Sequence, residues 1–199
     1  MAALGLLLFG IMFLVIFVAR TVVQKRRTGD SGIRAGVLGA SLGSIEWVAG
    51  WLLVIALLAG VVAPVAEMAG LDPWFTSVWV RGVGAAIAVA GIGLTFMSQL
   101  SMGDEWRIGV DTGEETGLVT AGAFAVIRNP IFGCMLVAGA GLTVLVPNLI
   151  SAVGLVLLVA AIELQVRFVE EPHLRRLHSD TYTVYASRVG RLFPRVGRD

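Results

Sequence analysis

Residues 131–166 read IFGCMLVAGAGLTVLVPNLISAVGLVLLVAAIELQV, and Glu163 is their one charged side chain. Inside hydrocarbon, backbone polar groups must find partners within the protein, and a single apolar segment does this by becoming a helix. The stretch divides into two apolar runs, Ile131–Val146 and Leu149–Val166, separated only by Pro147 and Asn148. Proline lacks an amide donor and pushes the residue before it out of the helical region, so the pair marks a tight turn. The reading is a helical hairpin buried in a membrane.

Working outward, three more apolar runs precede the hairpin: Ala3–Ala19, about Ile45–Ala66 and about Ser77–Leu100. At 1.5 Å per residue the longer runs cross the roughly 30 Å of a bilayer's hydrocarbon. Glu67 and Asp72 lie in a short polar turn between the second and third. No charged side chain occurs before Arg20, and the basic cluster Arg20, Lys25, Arg26 and Arg27 comes after the first apolar run. That order is opposite to a cleaved signal peptide. Composition agrees: 57% of residues are hydrophobic, mean hydropathy is +0.86, and 15% are charged, against about 25% in soluble domains. The predicted fold class is an all-α integral membrane protein of about five transmembrane helices, forming a single membrane domain over 1–199. Residues 1–100 form its three-helix portion, and 101–199 hold most remaining polar side chains.

Of fifteen Lys and Arg residues, only Arg81 falls near the end opposite the others. Basic residues favour the cytoplasmic side, which predicts an outside N-terminus and a cytoplasmic C-terminus. The net charge of +1 and the lack of a basic domain give no reason to expect nucleic acid as a partner. Cys134 is the only cysteine, and His173 and His178 lack companion ligands, so no disulfide or metal centre is expected. Small residues at helical spacing, Gly84, Ala88, Gly91 and Thr95 against Ala138, Gly139 and Gly141, predict close helix packing in lipid. Oligomeric state and the course of Ser31–Ser44 are not set by the sequence.

The topology brings residues 101–130 and 167–199 to one membrane face. Within Arg128-Asn129-Pro130-Ile131-Phe132, Asn is a favoured N-cap and Pro a favoured first helical residue. A helix starting there offers free amides and its positive dipole end to an anionic ligand. Arg167 stands about one helical turn before Glu170 and is expected on the same face, with Glu171 beside them. Beyond Pro172, Leu174, Leu177, Tyr182, Tyr185 and Val189 alternate with arginines as in an interfacial amphipathic helix.

Three segments in order, Leu118-Val119-Thr120-Ala121-Gly122-Ala123-Phe124, then Arg128-Asn129-Pro130-Ile131-Phe132, then Glu170-Glu171-Pro172-His173-Leu174, together resemble the isoprenylcysteine carboxyl methyltransferase family. The tail Tyr182-Thr183-Val184-Tyr185 continues the resemblance, which covers about Gly103 to Pro194. It implies methyl transfer from S-adenosylmethionine to a lipophilic or lipid-modified acceptor, the family's acceptor being a prenylcysteine carboxylate. Carried over by position, Thr116, Gly117, Leu118, Val119, Phe124, Asn129, Pro130, Ile131 and Phe132 would hold the cofactor, and Arg167 and Glu170 would act on the acceptor. Asn129 stands where the family has histidine, and Phe124 and Phe132 where it has tyrosines, which removes those hydroxyls. Two other functions fit parts of the pattern: a nicotinamide-dependent membrane reductase of the sterol-reductase type, and a non-catalytic membrane interaction protein.

Overall fold

A computed structural model describes residues 1–33, 40–109 and 117–198. Helix α1 runs Ala2–Thr28, α2 Ile45–Met68 and α3 Val78–Ser101. Then come α4, Pro130–Leu145, and α5, Leu149–Leu164. A π-helical turn, Gln165–Glu170, joins α5 to α6, Glu171–Arg188. The expected apolar helices are all present: among the described residues four helical spans are long and apolar enough to cross a membrane, and α4 is a shorter apolar helix. The hairpin turn is held by Asn148, whose side chain accepts from the Ser151 amide while Nδ2 donates to the Ala63 carbonyl.

Helix α1 outlasts its apolar run by nine residues, because the basic residues beyond Ala19 are tied into the bundle rather than left in a loose loop. Arg20 is fully buried. Its Nε donates to the Gln99 carbonyl, its Nη2 donates to Gly103 at 2.5 Å, and its guanidinium lies 4.7 Å from the Trp106 ring. Gln24 Nε2 donates to the Asp104 carbonyl. Carbonyl partners and a cation–π contact let these polar groups continue the helix. A π-helical segment, Leu14–Ala19, lies just before them.

Helices α3 and α4 meet along the small-residue faces the sequence marks out. A Cβ on Gly91 would stand 2.5 Å from the Ala138 amide nitrogen, and one on Gly84 would stand 2.7 Å from that of Leu145. Gly141 abuts Ala88, whereas Gly139 faces Leu158 of α5. Near this pair's far end Arg81 is buried, with Nε on the Leu145 carbonyl and Nη2 2.5 Å from Glu67. That pairing accounts for the one basic residue lying away from the others. We expect Gly91→Leu to lower unfolding free energy in detergent by about 1–3 kcal/mol through overpacking. Gly82→Leu, which meets nothing within 4 Å, should leave the melting temperature unchanged. Equal melting temperatures for both variants would refute the close contact.

Candidate functional site

The alternating helices collect the ends of α1, α3 and α5 with the starts of α2 and α4, and a cavity opens among them. Its volume is about 230 Å³, an order of magnitude above the ~15 Å³ that a single water requires. Ile16 and Phe17 of α1, Ala49 and Leu53 of α2, and Ala161 and Ile162 of α5 form its apolar depth. Toward the bundle end it is lined by Trp106, Phe124 and Phe132, and by the polar residues Glu46, Gln99, Arg107, Asn129, Gln165 and Glu170. Apolar walls with a few converging polar groups are the ordinary make-up of a small-molecule site.

Five of the sequence's cofactor candidates, Phe124, Asn129, Pro130, Ile131 and Phe132, line this cavity, as does Glu170. Gly117 lies apart, its amide donating to the Glu105 carboxylate at 3.1 Å. Leu118 and Val119 come next as half-buried chain and do not line the cavity, and Thr116 lies outside the described residues.

Asn129 occupies the N-cap position of α4, yet its side chain makes no capping bond. Its Nδ2 and its backbone amide both turn to the Arg191 carbonyl, at 3.2 and 3.0 Å. The expected cap is therefore replaced by a tie to the tail. A helix leaves its first amides without intrahelical partners, and here the residues carrying them, Ile131 and Phe132, border the cavity.

Arg167 is not brought to the cavity. It pairs with Glu163 and borders a separate groove on the far side of α5. The expectation that it shares a face with Glu170 assumes α-helical spacing, but Gln165–Glu170 is a π turn. Such a turn closes on i→i+5, so residues three apart no longer stack. The same turn brings Gln165 and Glu170, five apart, together: both line the cavity, and the Gln165 side chain bonds the Glu170 carboxyl. Arg107 supplies the cation that interacts electrostatically with Glu170.

Glu171 and Arg128 have other work. Glu171 Oε1 accepts from Arg128 Nε at 3.1 Å, Arg128 Nη2 at 2.9 Å and Arg191 Nε at 3.0 Å. Arg128 also donates to the carbonyls of Ala186, Val189 and Gly197. Tyr185 donates its hydroxyl to the Phe124 carbonyl at 2.6 Å. These bonds fasten α6 and the chain after it against the start of α4. Arg188, at the end of α6, is exposed.

Sequence reasoning missed Glu46, Gln99, Trp106, Arg107 and Gln165. Gln99 carried a usable signal, since a polar side chain within a membrane span is by default a functional candidate. Its Nε2 donates to the Ile16 carbonyl at 3.0 Å, and its Oε1 is buried with no partner among the described residues. Trp106 and Arg107 carried none, because the chain reaches the cavity there only through its tertiary path.

Residues 79–181 match the phospholipid methyltransferase family. The fold is similar to a solved structure of a eukaryotic intramembrane Ras methyltransferase, isoprenylcysteine carboxyl methyltransferase. The match has a TM-score of 0.58, covers 98% of this chain and 68% of that one, and has 18% sequence identity. No curated protein matches the chain.

Proposed function

Since the chain belongs to the phospholipid methyltransferase family and is a membrane methyltransferase, we propose that it moves a methyl group from S-adenosylmethionine to a lipophilic acceptor in the described cavity. The observation that carries this reading is the cavity's composition, with an apolar depth between helices and a polar end built by Gln99, Arg107, Asn129 and Glu170. The residues suit the cofactor. Phe124, Phe132 and Trp106 offer flat apolar surface for a nucleoside. The first amides of α4 suit a carboxylate. The orphaned Gln99 Oε1 is an acceptor for an N–H or O–H donor.

When bound, S-adenosylmethionine supplies an electrophilic methyl group on a sulfonium. The protein's own contribution is alignment and exclusion of water, since in-line attack needs the acceptor held in a narrow geometry. An acceptor entering from the bilayer rests its apolar part on Leu53, Ala161 and Ile162. Arg107 takes the acceptor-orienting role that the family resemblance implies for Arg167. A carboxylate such as that of a prenylcysteine is already ionised near neutral pH and needs only this orientation. For an amine acceptor such as a phospholipid headgroup, Glu170 receives the proton. The basic residues grouped at this end support a site facing the cytoplasm.

The test is calorimetric binding of S-adenosylhomocysteine to the full chain in lipid nanodiscs, with reduced nicotinamide dinucleotide phosphate as the parallel ligand. Saturable binding of the first alone supports methyl transfer. Binding of the second alone moves the assignment to a reductase, and binding of neither by folded protein leaves a non-catalytic role.

A further inference from the structure

Arg167, left out of the cavity, sits at the end of a groove between α4 and α5. Leu155, Val159 and Glu163 recur every four residues and form one stripe of α5; Arg167, paired with Glu163, continues it into the π turn, and all four line the groove. Leu136 and Ala140 of α4 make the opposite wall. Phe193, from the chain after α6, closes a third side near the charged end.

Two quantities favour a particular occupant. From Leu155 to Glu163 the stripe rises about 12 Å, close to the roughly 15 Å of hydrocarbon in one leaflet, half the bilayer core. The apolar floor therefore has the length of a lipid's buried part, and the charged pair lies at headgroup level. The second concerns charge. Arg167 bonds Glu163 through its Nε, which leaves the two terminal nitrogens outside that bond, and its side chain is 51% exposed. A guanidinium fork matches two phosphate oxygens.

We infer that this groove is a binding site for a membrane phospholipid of the leaflet at the cavity's end, with an acyl chain along the α4–α5 furrow and its phosphate on the Arg167 guanidinium. The site is separate from the cavity and does not depend on the proposed reaction. Its bland alternative is an arginine that only snorkels toward water with ordinary mobile lipid beside it.

Native mass spectrometry of the full chain, released from detergent and titrated with palmitoyl-oleoyl-phosphatidylglycerol or with dioleoylglycerol, tests this. Wild type should retain one phosphatidylglycerol in preference to dioleoylglycerol, which lacks phosphate. Arg167→Gln should weaken retention about tenfold, the scale of one lost charge-assisted contact. Arg167→Lys should keep part of it. Val159→Trp, a change at a 40% exposed position on the floor, should fill the groove and also release the lipid. Arg26→Gln, on the exposed end of α1, should bind as wild type does. Melting temperatures in lipid-free detergent, equal to wild type for Arg167→Gln and Val159→Trp, separate loss of the site from loss of the fold. Undiminished retention by folded Arg167→Gln, or equal retention of the two lipids by wild type, overturns the proposal.

Discussion

Glu170→Gln should lower methyl transfer by roughly a hundredfold while leaving the melting temperature in detergent unchanged. The substitution keeps size and shape and removes only the negative charge and one acceptor oxygen, so a packing role would survive it. Glu170 borders the cavity, is bonded by Gln165 and interacts with Arg107. Its carboxylate thus meets any acceptor that reaches the polar end. Removing a group that takes a proton, or that orients charge where the transition state needs it, typically costs about 10²–10³ in rate. The measurement is transfer of a labelled methyl group in nanodiscs, with a phosphatidylethanolamine and a prenylcysteine analogue offered separately. Unchanged turnover on both would remove Glu170 from the chemistry. A large loss on the amine with a small one on the carboxylate would assign it the proton, since only the amine has one to give up.

The same residue shows what a sequence reveals and what it withholds. Hydropathy located α1 through α5, and the small-residue pattern located the α3–α4 contact, because both depend on side-chain size and polarity at regular spacing. The segment Asn129–Phe132 was legible for a similar reason: Pro130 at a helix start has one local meaning. Arg167 falls outside the cavity rather than on the face of Glu170, because helical spacing is not constant through Gln165–Glu170, where a π turn changes it. Glu170 and Glu171 read as one acidic pair, yet neighbours on a helix point in different directions. One lines the cavity and the other anchors the tail. Arg20 read only as part of a basic cluster after the first apolar run because its partners, the carbonyls of Gln99 and Gly103 and the Trp106 ring, are about eighty residues away.

The largest effect on stability is expected at Arg128. Its side chain is 1% exposed and that of Glu171 5%. Removing one partner from a buried ion pair leaves a desolvated charge, and such losses run to about 3–5 kcal/mol. Arg128→Ala also strips the donors from the carbonyls of Ala186, Val189 and Gly197. The chain after α6 should then loosen, held only by the Arg191 contact with Glu171, the Asn129 bonds to the Arg191 carbonyl, the residue-128 amide on the Gly190 carbonyl and the buried Leu192 side chain among the attachments described. Limited proteolysis should cut near Arg188 and Arg191 in the variant and spare the wild type. Because Asn129 leads directly into the cavity-lining start of α4, S-adenosylhomocysteine affinity should fall with the tail's release. The double variant Arg128→Met with Glu171→Met should recover most of the melting temperature, because an apolar replacement of similar volume buries no charge. It should not recover tail attachment fully, since the three carbonyls still lack a donor. If Arg128→Ala instead melts as wild type does and resists protease, the guanidinium is not what fastens the tail, and Tyr185 on the Phe124 carbonyl becomes the principal fastening.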